Sequence, residues 1–486
     1  MFKMLIKFRM SVMPTFIYGT VKSMDSVLRQ FNESRETGEI EPRKRDKLVV
    51  EPQPNEFYLK YEDRKYDEQY YSMYQYRLKV LRERVTKNCE VKWDSHFKLK
   101  NRKVVKKNKV LDIQANEPCW CVGTIYCEMK YKPNILEEVV NDVYGAPDLV
   151  KGYLDEDGTD EVMLEDESGR VLLVGELAKT KPLVSGTVVG ILGMEADAGT
   201  FQVLDICFPS ALPQTELPAG SQPGKVALVS GLNANPSNPR LSLKLQLLQQ
   251  YLTGDVMSPE SVAEIGRLII CGNSINPVDP DQLTGCLTEA GTFFGNTLQS
   301  MPIDLMPGPR DLSDQSLPQQ PLHKALFGPM ISPFFEESNK ELFCPTTNPA
   351  WFQLNGVQLL GTSGQNIDDM CKYVLPFEPD SQENLAEANI ATRMDIIEGC
   401  LRWQNIAPTA PDTLWCYPYK DEDPFVLKKW PHVFFVGNQP QFASKDVQLE
   451  GGVKVKAIAV PEFSKTGQVV ILDLETLDTT LVTIDM

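Results

Sequence analysis

Histidine is almost missing from this chain of 486 residues: His96, His323 and His432 are the only three. That scarcity excludes a site built from several imidazoles, the usual way a hydrolase holds a pair of transition metals. Long apolar runs are also missing. None reaches the roughly 18 residues needed to cross a bilayer as a helix, so no transmembrane segment is expected. The 11 cysteines are scattered and odd in number. The closest pair, Cys119-Trp-Cys121, alternates along an expected strand instead of forming a Cys-x-x-Cys hook, so no zinc site is expected. Free thiols in a reducing, intracellular compartment are the simple reading. Ser230 and Ser363 lie on turns with no neighbouring histidine to activate them. Gly361-x-x-Gly364 lacks the lysine of a phosphate loop.

Positive charge is in deficit too, with 49 Lys and Arg against 66 Asp and Glu, a net charge of −17. The deficit is uneven. Residues 1–110 hold 26 basic and 15 acidic residues, whereas residues 111–486 hold 23 and 51. An acidic body repels nucleic acid at long range and suits a protein partner with a basic face. The basic excess peaks at Lys98, Lys100, Arg102, Lys103, Lys106, Lys107 and Lys109. A phosphate-contacting arm, an import signal and a solvated loop all fit that run. The lack of an interleaved aromatic after Leu99 weakens single-strand binding.

In order along the chain, residues 1–60 read as an extension or disordered lead-in. Residues 1–24 are basic and apolar. They read as a non-essential extension, since Met10, Met13 and Met24 could each begin the chain, or as a targeting segment. Residues 25–60 are polar and charged. Residues 61–110 read as a helical lead-in followed by the basic loop. Tyr66, Tyr70, Tyr74, Leu78, Leu81 and Val85 recur at helical spacing and predict a core-facing stripe. Residues 111–208 read as strands: Cys119–Met129, Glu161–Leu164, Val171–Val174, Thr187–Leu192 and Phe201–Cys207, with a helix over Ile135–Val143. Two hairpins and an earlier strand fit a five-stranded oligonucleotide/oligosaccharide-binding (OB) barrel. Its acidic stretch at Asp155–Glu167 favours a protein ligand.

Residues 209–224, with Pro209, Pro213, Pro218 and Pro223, read as a linker. Residues 225–486 alternate strand and helix and end β-rich, which predicts an α/β sandwich of mixed sheets. Helices are expected over Pro259–Arg267, Gly285–Gln299 and Gln382–Gln404, with a surface insertion at Glu378–Ala388.

Within that last region, five short apolar runs end in turns: Val226–Asn233, Leu268–Asn276, Ile303–Asp311, Val357–Asn366 and His432–Pro440. Loops at strand ends are where α/β folds place ligands. The five resemble the metal-binding loops of calcineurin-like metallophosphoesterases, which read Asp-x-His, Gly-Asp-x-x-Asp, Gly-Asn-His-Asp/Glu, a lone His and Gly-His-x-His. The resemblance puts Gly231 and Asn233 where Asp and His would stand. It puts Asn273 and Asn276 at the two aspartates, Pro309 and Arg310 at Asn-His, and Asn438 and Pro440 at the last two histidines. Asp311 remains, and Thr362–Asn366 offers no histidine. Asn and Gly carry no charge to hold a cation, and Arg310 adds one, so the resemblance implies a phosphoesterase frame whose metal site is lost, with no cofactor and no catalytic residue.

More specific runs narrow the likeness: Met306-Pro-Gly-Pro-Arg-Asp311, Leu317-Pro-Gln-Gln-Pro-Leu-His323, Leu360–Asn366, Thr409–Tyr419 and Pro431–Asn438. From about Tyr66 onward the chain resembles the B-subunits of replicative DNA polymerases, most of all the delta class. The alpha and epsilon classes are the alternative. The likeness implies a nuclear, non-catalytic scaffold. Its expected partners are the C-terminal metal-cluster module of a catalytic subunit and a third, clamp-binding subunit. The sliding clamp would be reached indirectly, and DNA contact would be weak or indirect. A competing reading is a divergent phosphodiesterase holding one cation on Asp304, Asp311 and the asparagines.

Overall fold

The computed structural model describes residues 7–11 and 44–485, apart from 53–54, 67–68, 94–96, 100, 134–151, 156, 197–198, 218–222, 257–261, 337–338, 340 and 376–389. The expected helix over Ile135–Val143 and the insertion at Glu378–Ala388 lie outside the described residues.

Five strands form the smaller domain: β1 Cys119–Glu128, β2 Glu161–Glu165, β3 Arg170–Val174, β4 Val188–Glu195 and β5 Phe201–Cys207. They pair in the order β1-β2-β3-β5-β4, and β4 returns to pair antiparallel with β1, so the sheet closes into a barrel. Closure removes the sheet's edges. Alternation along β1 explains its burial on both faces. Cys119, Cys121, Ile125 and Cys127 belong to the barrel core. Trp120 and Val122 point outward under helix α1, Tyr71–Lys92. The short helix α2, Glu176–Thr180, sits between β3 and β4.

The buried stripe of α1 is Met73, Arg77, Leu81, Val85 and Cys89. Leu81 and Val85 of the expected stripe lie in it, but the expected run through Tyr66, Tyr70, Tyr74 and Leu78 is off by one position. Tyr66 is 68% exposed and precedes the helix, and Tyr74 keeps 37% of its surface in water. A Cβ on Gly190 of β4 would overlap the Cys89 sulfur, so glycine there lets the helix lie close on the barrel.

The larger domain is a layered sandwich. One sheet has the order Lys7–Ser11, β16 (Thr479–Asp485), β15 (Gln468–Asp473), β6 (Lys225–Val229), β7 (Ile265–Cys271), β8 (Ile303–Met306), β9 (Phe343–Pro345). The other has the order β10 (Ala350–Leu354), β11 (Val357–Thr362), β12 (Val433–Gln439), β14 (Lys454–Pro461), β13 (Ala443–Gln448). β6 to β9 run parallel, as do β11, β12 and β14. A dense apolar layer fills the space between the sheets, where Val226, Leu228, Ile269 and Cys271 meet Leu359, Val433, Phe435 and Ile458.

Helices α3 (Pro239–Thr253) and α4 (Leu283–Leu298) cover the outer face of the first sheet. α5 (Gln365–Lys372) and α6 (Ile390–Trp403) cover the second. The bounds of α3 are written locally. Asn238 caps it by accepting from the Leu241 amide, Pro239 opens it, and Gly254 ends it at φ 88°. The end of the helix expected over Pro259–Arg267 is corrected: residues 259–261 lie outside the described residues, Val262 and Ala263 are helical, and β7 already begins at Ile265. The parallel strand needs Ile265 and Arg267 in its ladder with β6.

Two segments expected to hang free are fastened to the sandwich. The lead-in is expected to be disordered through residue 60, but Arg45 is seated on five acceptors. Its Nε donates to the Ser300 carbonyl, Nη1 to those of Val262 and Ile265, and Nη2 to Leu252 and the Ser300 hydroxyl, all at 2.7–3.0 Å. All five guanidinium protons are used. The strand at Lys7–Ser11 pairs with β16 within the region expected to be a dispensable extension. The proline-rich segment is also laid down on the sandwich at Pro213 and Gln214: the Trp430 amide donates to the Pro213 carbonyl at 2.9 Å, and Gln214 donates to the Pro431 and Lys454 carbonyls. His432 adds a third fastening, its two ring nitrogens bonded to the Gln358 amide and the Thr215 carbonyl.

The barrel and sandwich share one continuous core, since the barrel interior and the α5–α6 layer belong to the same buried cluster. At its centre Arg77 is 1% exposed. Its Nε donates to Asp423 at 2.7 Å, and its other nitrogens donate to the Pro408 and Ala410 carbonyls, each at 2.7 Å. Tyr153 packs edge-on against Tyr373 and donates its amide to the Lys372 carbonyl. Removing one partner of a buried, fully bonded ion pair costs about 3–5 kcal/mol. Arg77→Ala is expected to lower stability by about that much in urea denaturation. A loss under about 1 kcal/mol would show that the pair does not hold the seam.

Candidate functional site

β6, β7 and β8 run parallel in one sheet, β11, β12 and β14 run parallel in the other, and the loops at their C-terminal ends converge. Asn233 Nδ2 donates to Glu462 at 2.5 Å and to the Ser464 hydroxyl at 2.8 Å. Arg310 Nη1 donates to Asn233 Oδ1 at 3.2 Å and to Glu462 Oε1 at 3.1 Å. The Arg310 amide donates to Asn273 Oδ1 at 3.0 Å. The Asn438 backbone amide donates to Ser230 Oγ at 2.8 Å, and its side chain donates to the Cys271 and Ser363 carbonyls. A Cβ on Gly231 would overlap Glu462, so only glycine fits between the first and last of these loops.

The structure therefore gathers Gly231, Asn233, Asn273, Arg310 and Asn438. Asn276 contributes only backbone bonds, with Ala234 and Asn235. Pro309 is exposed, Pro440 is half-buried, and neither side chain has a donor atom. Glu462 and Ser464 complete the cluster from the end of β14, a loop with no strand-to-turn signature to single it out.

The asparagines have a second reason to be there. Asn233, Asn273 and Asn438 adopt φ of 49°, 56° and 56°. Asparagine is the residue after glycine that best tolerates this left-handed conformation, and its amide satisfies nearby backbone groups.

The two carboxylates expected to hold a single cation in the phosphodiesterase reading are both engaged elsewhere. Asp304 forms a buried two-pronged pair with Arg267, at 2.5 and 2.6 Å. Asp311 accepts the amides of Ser274, Ile275 and Gly308, at 2.8, 3.2 and 2.8 Å. Glu462 is bonded to Arg310, Asn233 and Ser464 and paired with Lys465 at 3.1 Å. A divalent ion needs uncompensated oxygens or imidazoles. The residues present do not fit one: a guanidinium stands among the loops, Asp304 and Glu462 are already paired with cations, and Asp311 is turned onto three backbone amides. Among the described residues no group of three or more His, Cys, Asp or Glu side chains is placed to ligate a metal.

The run Pro318-Gln319-Gln320-Pro321 has a physical role next to this cluster. Gln319 accepts from Asn348 at 2.8 Å and Gln365 at 2.7 Å, and donates to the Gly308 and Asp314 carbonyls. Asn348 in turn bonds Ser363 in both directions. Gln320 turns the other way and clamps the lead-in, donating to the Phe57 carbonyl and accepting the Leu59 amide. His323 accepts from the Ala325 amide and caps a single turn. Thr409–Tyr419 and the proline before it face α1 and the segment leading into it. Pro408 and Ala410 receive Arg77, the Cys416 carbonyl receives the Tyr70 hydroxyl, and the Tyr417 hydroxyl receives the Lys65 amide. These runs hold loops, lead-in and barrel together.

Residues 226–444 match the family of DNA polymerase alpha/epsilon B-subunits, and residues 69–206 match the DNA polymerase delta subunit OB-fold domain. The DNA polymerase delta small subunit of Saccharomyces cerevisiae is 53% identical over 488 residues, spanning 95% of this chain and 100% of the relative. That of Oryza sativa subsp. japonica is 36% identical, over 76% of this chain and 84% of its own. The DNA polymerase delta subunit 2 of Drosophila melanogaster is 30% identical, over 86% and 93%. The chain belongs to the B-subunits of DNA polymerases and, among them, to the small subunits of DNA polymerase delta.

Burial pushes the Asp311 carboxyl up from 3.8 to about 6, against the pull of its backbone donors. The folded chain thus holds this proton more tightly than the unfolded one. The stabilisation is full below about pH 4 and is lost as pH rises to about 6, a change of about 3 kcal/mol. In Asp311→Asn that limb of the stability–pH curve is expected to flatten. The variant is also expected to be less stable by about 1–3 kcal/mol, because the new amide turns a donor toward the Gly308 N–H. An unchanged limb would assign it to another group.

Proposed function

We propose that the chain is a non-catalytic accessory subunit of DNA polymerase delta, acting in the nucleus in replication and repair synthesis. It holds the catalytic subunit through that subunit's C-terminal metal-cluster module. It also carries a third, clamp-binding subunit and so links the polymerase to the sliding clamp. In this reading residues 111–208 are the OB-fold domain, 225–486 an inactive phosphoesterase-like domain, and 61–110 and 209–224 their connectors. Its mechanism is recognition by a rigid two-domain body.

The observation that carries the non-catalytic reading is Arg310. Its guanidinium bonds Asn233 and Glu462 at the centre of the strand-end loops, where a phosphoesterase would place cations. A fixed positive charge can balance Glu462, but it cannot lower the pKa of a water or bridge two phosphate oxygens as a metal pair does. The acidic body supports a basic protein partner, because charge complementarity speeds association and selects partners.

Tagged full-length chain recovered from nuclear extract at moderate salt is expected to bring the delta catalytic subunit and a clamp-binding subunit with it, as read by mass spectrometry. Recovery of the chain alone would overturn the proposal. A metal titration separates the non-catalytic part. A bound ion at a hundredfold excess over its Kd would stabilise the fold by about 2.7 kcal/mol. Manganese and zinc are expected to leave the melting temperature unchanged, and a saturable rise would reinstate a metal-dependent phosphodiesterase.

A further inference from the structure

Two stretches of the basic run after α1 form a β-ribbon. Lys98–Leu99 and Arg102–Lys103 pair antiparallel, with Leu99 opposite Arg102 and Lys98 opposite Lys103. The turn between them includes Asn101 at φ 64°. Residues directly opposite share a face of the ribbon, so one face carries Leu99 and the other carries both lysines. Leu99 and Phe97 pack against the buried cluster of Trp93, Trp120 and Val104. The next strand, Val105–Lys106, pairs with the start of β1. The hairpin is therefore anchored through its apolar face to the barrel, and its lysine face is turned to water.

That arrangement carries a cost the fold does not need. Like charges directly across a ladder repel, and opposite charges there are the stabilising choice. The chain has 66 acidic residues to choose from. It supplies them to the neighbours: Lys106 pairs with Glu90 at 2.8 Å, and Lys107 pairs with Glu117. Lys98 and Lys103 are both exposed and form no ion pair among the described residues. Arg102 is also without an acidic partner among them and donates instead to the Asn116 carbonyl at 2.8 Å. An external anion that sits between Lys98 and Lys103 would turn this repulsion into attraction.

We infer that the Lys98–Lys103 hairpin is a contact for the phosphate backbone of double-stranded DNA. A duplex is favoured over a single strand because no aromatic platform accompanies the lysines. It is favoured over a receptor that reads an extended basic peptide because the segment is folded on itself, with Leu99 opposite Arg102 and Lys98 opposite Lys103. The contact is sequence-independent and salt-sensitive, and the −17 charge of the chain keeps it weak in isolation. It acts on DNA that the assembled polymerase already holds close.

The test uses the full chain alone, so it does not depend on the proposed subunit partners. Binding of a fluorescent duplex of about 30 base pairs is followed by anisotropy from about 50 to 200 mM salt, for the native chain and for Lys98→Gln/Lys103→Gln. Each lost phosphate contact lowers the slope of log K against log salt by about 0.9, so the double variant is expected to lose about 1.8. Over that range the native affinity would then fall about 12-fold further than the variant's. Melting is expected to be unchanged or slightly higher in the variant, which separates lost contact from lost fold. Absence of native binding, or an equal slope in the two proteins, would overturn the inference. So would a variant that binds DNA normally but no longer accumulates in nuclei, which would make the run an import signal.

Discussion

The pair between Arg77 and Asp423 is the contact on which the arrangement of this molecule depends. A charged residue placed in the buried stripe of α1 is tolerated only because Asp423 and the carbonyls of Pro408 and Ala410 take up its protons. Those acceptors belong to the sandwich, while Leu81, Val85 and Cys89 of the same stripe lie on the barrel. The helix cannot bury its own face without bringing the two domains together. Gly186 of the barrel takes part in the same junction, since any side chain there would overlap the Pro408 carbonyl. A rigid seam of this kind suits a protein whose work is to offer a fixed surface to partners.

The strand-end loops follow the same rule of internal compensation. Left-handed turns after β6 and β7 and at the end of β12 each contain an asparagine, whose side chain then binds a neighbouring loop. Arg310 supplies the positive charge that lets Glu462 remain buried at their centre. The charges of the cluster, Arg310 and Glu462, are balanced by its own side chains. The family to which the chain belongs places it in a polymerase assembly, and hydrogen bonds between the loops tie their ends to one another.

Much of this is legible from residues. Alternation locates all five barrel strands because each has one face in a closed core. The strand-to-turn form locates five of the six converging loops, since apolar runs ending in Gly or Asn are local signals. Glu462, on the sixth, escapes because an acidic residue after a strand looks like any surface carboxylate until its partners are known. The α1 stripe reads correctly at Leu81 and Val85, but its first half reads one residue away from its true place because tyrosine is apolar enough to suggest a core face, while Arg77 looks like a solvent-facing residue. The lead-in reads as disordered because its polar composition hides Arg45, whose five bonds all go to distant backbone or to the Ser300 hydroxyl. Periodicity reports burial of apolar groups and is blind to a buried cation that is fully paired.

Through this shared seam, barrel and sandwich form one cooperative body. Native-state hydrogen exchange in increasing urea tests that most directly, by comparing amides of β4 with those of β14. With a common seam, both sets of amides are predicted to open with the same free energy and the same urea dependence. Opening of the barrel strand several kcal/mol below the sandwich strand would contradict this and make the two domains independent units.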